Sequence, residues 1–149
     1  MSHLAAAGQI WRDDCYYLDA QGSCQRKYLL ILALDIQYGD CVTVVFTSQP
    51  HGLPESPACY IGHPRSGYFL GVLGDTFNKP TWVDFNSLQT LDSDDLKLHL
   101  ESGRKTLLSQ TLTPSQFCAV LRCIMQIQDD ISLREYRWLS DTAAALKCP

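Results

Sequence analysis

Two apolar runs dominate the chain, Lys27 to Leu34 and Cys41 to Phe46. The link between them, Asp35 to Asp40, places Gly39 where a positive φ is expected. This pattern predicts a buried β-hairpin that enters Thr47-Ser48-Gln49 at its far end. Before it, Gly8 to Trp11 and Cys15 to Leu18 read as two short strands, followed by a turn at Asp19 to Ser23. After it, the stretch from Pro50 to Gly67 contains four prolines, so only short edge pairing around Ala58 to Ile61 fits there. Strand character returns at Tyr68 to Val72, Thr81 to Phe85 and Leu88 to Leu91, with turns at Gly74-Asp75 and Asn78-Lys79-Pro80.

The final third changes period. Asp92 or Ser93 can cap a short helix whose first turn is acidic, and Gly103 ends it. Thr106 to Leu112 fits one more strand. Thr113-Pro114-Ser115-Gln116 combines a capping threonine, a proline at the first helical position and a glutamine that closes a capping box. Phe117, Val120, Leu121, Ile124 and Ile127 then form one apolar stripe. A last helix is expected from Ser132 to Leu146, packing through Leu133, Tyr136 and Leu139. Short strands followed by helices predict a single α+β domain over residues 1–149, with a small barrel or half-open sheet and a helical C-terminal extension from about residue 128.

Composition narrows the classes. The 149 residues are 46% hydrophobic and 19% charged, which fits a packed core and excludes disorder. No run reaches the ~18 apolar residues needed to span a bilayer, and Met1 to Ile10 lacks the pattern of a secretory leader, so a cytoplasmic location is expected. Seven cysteines without a Cys-x-x-Cys pair argue against a disulfide framework and a structural zinc; Cys41 and Cys118 are expected as buried thiols. The net charge of −4 excludes a generally basic nucleic-acid binder, so any RNA contact must be local. Arg26-Lys27, with His63 and Arg65 further on, is the nearest approach to a basic cluster.

The order of these elements resembles the PemK/MazF-like toxin family. Gly8-Gln9-Ile10-Trp11 is similar to the family's opening Gly-Asp-Ile/Val-Trp strand. Lys27 to Leu32 is similar to its Arg-Pro and following aliphatic strand, and Val44 to Gln49 to its Val-Pro-x-Thr-Ser/Thr strand end. Val83-Asp84 with Leu88 to Leu91 resembles its Asp-Gln-Ile-Arg-Thr-Leu segment, and Thr113 to Gln126 stands in the place of its closing helix. The resemblance covers roughly residues 8 to 127. It implies an SH3-like β-barrel with helices, a homodimer, a cognate antitoxin or other protein partner, and metal-independent cleavage of single-stranded RNA with no cofactor. The family's catalytic arginine aligns with Lys27 and its proline with Tyr28; its acidic or amide loop residues align with Gly22 and Ser23, and its Asp-Gln pair with Asp84-Phe85. Thr47 keeps the catalytic Thr/Ser position.

The chemistry implied is attack of a 2′-hydroxyl on the adjacent phosphate. It needs a base, donors for the phosphoryl oxygens and an acid at the leaving oxygen. Lys27 and Thr47 are the catalytic candidates; Arg26, Ser48, Gln49, His51, His63 and Arg65 are the candidate RNA contacts. Lysine offers a point charge where the arginine fork would bind two oxygens, so weaker catalysis is expected. The alternative is a catalytically decayed fold that acts as a protein-interaction or weak RNA-binding module. A Cys59–His63 hydrolase and a metal site from His51, Cys59 and His63 are weaker readings of the same loop. Tyr60, Tyr68 and Phe69 suit either base stacking or the core, and Trp82 and Phe85 the core or a dimer interface.

Overall fold

Strands β2 (Cys24–Leu34) and β3 (Cys41–Thr47) are buried on both faces, which is why their apolar runs show no polar alternation. A computed structural model describes residues 4–149 of the chain. Leu30, Leu32, Val42 and Val44 point to one core with helices α2 (Pro114–Ile124) and α3 (Leu133–Ala145). Leu29, Ile31 and Val45 point to a second core with Trp11 and with Leu96 of helix α1 (Ser93–Glu101).

Five further strands complete one antiparallel sheet: β1 (Gln9–Leu18), β4 (Cys59–Tyr60), β5 (Gly67–Gly71), β6 (Thr81–Leu91) and β7 (Lys105–Thr111). Their order is β4-β5-β6-β3-β2-β1-β7. The α+β class therefore holds, and the sheet is not closed into a barrel. Its last strand on one side, β4, is two residues long and lies between prolines, so it offers too few backbone donors to close onto β7.

Helix ends follow the sequence closely. Asp92 caps α1, and Gly103 follows its end with φ +78°. Capping boxes at Thr113/Gln116 and Ser132/Glu135 start α2 and α3. Glu135 also accepts a hydrogen bond from Thr90 Oγ1 at 2.7 Å, which ties α3 to β6. Leu139 is buried and Tyr136 partly so, whereas Leu133 is exposed. The pairs of short strands expected at each end of the hairpin are single strands with irregular register, between Asp13 and Tyr17 in β1 and opposite Thr43–Val45 in β6. In the second case Ser87 Oγ accepts the Val45 N–H at 2.8 Å in place of a ladder carbonyl.

The cysteines require a correction. Six of them form three disulfides, Cys15–Cys24, Cys59–Cys123 and Cys118–Cys148. The odd count misled because one thiol, Cys41, is separately buried in β3. Pairing is decided by which elements meet: Cys15 and Cys24 face each other across the β1–β2 hairpin, and α2 supplies one partner to the sheet edge and one to the chain end. Burial, then the nearby Asp40 carboxylate, pushes the Cys41 thiol up to about 11, so it stays protonated and inert at neutral pH. Cys118 is not the buried thiol expected, and with Cys59 oxidised the Cys59–His63 hydrolase has no nucleophile.

Candidate RNA-binding cleft

Thr47 ends β3, and the backbone turns on its hydroxyl. Thr47 Oγ1 accepts the Gln49 N–H and donates to the Gln49 carbonyl, both at 3.0 Å. The side chain is buried, with its one proton already committed. The β2–β3 ladder ends at the Leu29–Val45 pair, and Lys27 and Thr47 lie two residues beyond it on their strands. Asp13 is the partner of Lys27 on the other side. Asp13 and Lys27 thus form a polar pair one step beyond the apolar row of Trp11, Leu29 and Val45.

Lys27 and Thr47 line one cleft of about 350 Å³ together with Arg26, Ser48 and Gln49. Thr76, Asn78, Lys79 and Thr81, from the β5–β6 connection and the start of β6, complete its polar lining; Tyr28, Phe46 and Phe77 form its apolar part. Among the described residues, no carboxylate and no histidine lines it. Lys27 is half-buried and has no ion pair among the described residues. Arg26 is exposed, and its Nε lies 3.0 Å from Asp14 Oδ1, which also holds Arg12 at 2.9 Å. The arrangement suits a phosphate: local positive charge, hydroxyl and amide donors, and an aromatic surface. Among the described residues it provides no histidine to act as general base near neutral pH.

Three predicted contacts lie elsewhere. His51 is exposed in the turn after Pro50, at φ +49°, and does not line the cleft. His63 lines a separate cleft with Asn86 and Asp130. Arg65 is neutralised by Asp84, Nη1 to Oδ2 at 2.8 Å. The aromatic candidates are mainly structural: Phe69 packs on Trp82 with ring centres 4.9 Å apart, Tyr68 packs against the main core, and Trp82 and Phe85 are buried.

The chain matches no protein-family model, no curated protein and no solved structure.

Sequence reasoning missed two features. Asn78-Lys79-Pro80 reads as an ordinary turn, and only the fold brings its cation to the β3 end. The second is a buried charge cluster joining β1, α1 and β7. Asp13, fully buried, accepts Lys105 Nζ at 2.6 Å, Arg104 Nε at 2.9 Å and the Cys15 N–H at 3.0 Å. Burial works to raise its pKa, but the bonds from Arg104, Lys105 and Cys15 outweigh it and hold the carboxyl below the usual range. With its oxygens filled and its proton affinity lowered, Asp13 is a poor base for anything bound at Lys27. His99 closes the cluster, Nδ1 at 2.8 Å from Lys105 Nζ and Nε2 at 3.1 Å from Arg104 Nη1. Burial, then the charges of Lys105 and Arg104, lower its pKa. A neutral imidazole accepts at only one nitrogen, and an imidazolium at neither, so protonation opposes both contacts.

Proposed function

We propose that this protein is the toxin-like component of a type II toxin–antitoxin system, and that its cleft binds single-stranded RNA and cleaves it slowly without a metal. The observation that supports this best is the convergence of Arg26, Lys27, Lys79, Thr47, Ser48 and Gln49 on one acid-free cleft. Lys27 takes a phosphoryl oxygen, and the bound strand's 2′-oxygen attacks that phosphate. The P–O5′ bond breaks to leave a 2′,3′-cyclic phosphate and a free 5′-hydroxyl, and solvent water carries the proton from the 2′-oxygen to the departing 5′-oxygen. The open sheet is read as a half-open, divergent form of the PemK/MazF-like barrel; a homodimer and a cognate antitoxin belong to the same reading. The three disulfides favour an oxidising compartment over the cytoplasm expected at first.

The catalytically decayed alternative, a protein-interaction or weak RNA-binding module, is favoured by the committed hydroxyl of Thr47 and by the lack of an acid–base group among the described residues of the cleft. Purified protein incubated with labelled single-stranded RNA in EDTA separates the two. Slow cleavage is expected, abolished by Lys27→Ala. Lys27→Arg should raise the rate by roughly 100-fold or more, the scale on which one well-aimed donor acts. RNA that stays intact with both wild type and Lys27→Arg, while binding persists, sinks the nuclease and leaves the binding module. RNA that neither binds nor breaks removes the nuclease and the RNA-binding module and leaves the protein-interaction module.

A further inference from the structure

The geometry points to Lys79 as a second phosphate ligand of the cleft, gripping the same RNA strand as Lys27 from the other side of the β3 end. This rests on the RNA-binding reading above. Strand β3 lies between β6 and β2, so Thr47 has its partner Trp82 in β6 on one side and the end of β2 that carries Lys27 on the other. Lys79 stands two residues before β6 begins and lines the same cleft. The two lysines therefore flank the strand end.

A lysine in a surface connection is usually a floppy charge; this one is mounted. Phe77, two residues earlier, is buried, with its ring 5.0 Å from that of Tyr28 and 5.1 Å from that of Phe46. Phe77 also exchanges backbone bonds with Gly74: its N–H donates to Gly74 O at 2.8 Å, and its carbonyl accepts the Gly74 N–H at 3.1 Å. On the other side, Thr81 Oγ1 donates to the Lys79 carbonyl at 2.9 Å. The backbone is thus pinned before and after the lysine, while its side chain remains exposed. A pinned backbone lowers the ordering cost of closing an ammonium on a ligand.

Charge accounting singles out the same residue. Of the three cations lining the cleft, Arg26 is paired with Asp14. Lys27 and Lys79 have no ion-pair partner among the described residues. An anion entering the cleft meets two unneutralised charges, one on each side of Thr47. A volume of about 350 Å³ is near the small end for ligand sites, which suits one nucleotide unit and not a duplex.

The test is fluorescence anisotropy of a labelled 12-nucleotide RNA of mixed sequence, titrated with protein across a range of KCl concentrations. Lys79→Ala should weaken binding several-fold and reduce the slope of log affinity against log salt by about 0.7, the share of one single-strand phosphate contact. The loss should be similar across RNA sequences, and Lys79→Arg should restore it. Wild type that binds with a salt-dependent slope which Lys79→Ala leaves unchanged overturns the role of Lys79 and spares the RNA reading. Wild type that shows no binding overturns both.

Discussion

Replacing Asp13 by alanine is expected to cost about 3–5 kcal/mol of folding stability, the scale for removing one partner of a buried ion pair. The loss is large because Lys105 remains behind. Its side chain is 3% exposed, and the carboxylate is the anion that compensates it. Arg104 loses two hydrogen bonds in the same step, and the Cys15 N–H loses its acceptor. Urea unfolding followed by circular dichroism measures the effect. Asp13→Leu combined with Lys105→Met should lose much less, since an apolar pair of similar volume leaves no fully buried charge, and the part-exposed Arg104 can turn to water. If Asp13→Ala unfolds at the wild-type urea midpoint, the cluster is not a stabilising element.

The same cluster sets a pH dependence. His99 has a lowered pKa in the fold, so the unfolded chain binds its proton more readily. Its contribution is present above about pH 6.5 and is lost as pH falls through the lowered folded value. Asp13, also lowered, adds a second loss further into acid, below its ordinary 3.8. Wild type should therefore lose stability in two steps on acidification. His99→Gln should remove the upper step alone, seen as a flatter profile of unfolding free energy against pH.

Removing the Cys59–Cys123 disulfide, as Cys59→Ala with Cys123→Ala, is the other large expected effect. The bond closes 64 residues of chain and fastens the short edge strand β4 to α2. Chain entropy alone gives roughly 4 kcal/mol for a loop of that length. Cys118–Cys148, with a separation of 30, should contribute slightly less, and Cys15–Cys24, with 9, the least. Exposure ranks them for reductant as well. Cys123 is 1% exposed, whereas Cys24 lies open on the hairpin. Timed alkylation under mild dithiothreitol, read by mass spectrometry, should label Cys15 and Cys24 first. Equal labelling of all six thiols at every time point would falsify this order.

What was legible in the chain was what neighbouring residues decide. The capping box at Thr113 is a four-residue event, the last helix was expected from Ser132, and both helices begin there. The Gly39 turn is equally local: its N–H donates to Asp35 O at 2.8 Å, with φ +81°. The central hairpin was legible because burial on both faces leaves an unbroken apolar run. Features that depend on distant elements were not. Cys59 and Cys123 are paired by the packing of α2 on the sheet edge, which no spacing rule encodes. Asp13 looks like a surface acid in Arg12-Asp13-Asp14, and only Lys105 and Arg104, more than 90 positions away, make it a core residue. The candidate site divides the same way. Arg26, Lys27, Thr47, Ser48 and Gln49 share the cleft because one hairpin presents them. His51, His63 and Arg65 were grouped with them by nearness in sequence, and the fold sends them elsewhere.

The two margins of the sheet are unequal. On one side stands β4, two residues long and fastened by its cysteine to α2. On the other stands β7, seven residues long, with β1 as its one paired strand among the described residues. Strand addition needs a row of free backbone donors and acceptors, and β7 alone has the length to supply one. A molecule with a single such margin cannot polymerise through it. Copies paired there would use the one long margin of each, so growth would stop at a pair where a sheet with two open sides would run on into a fibre.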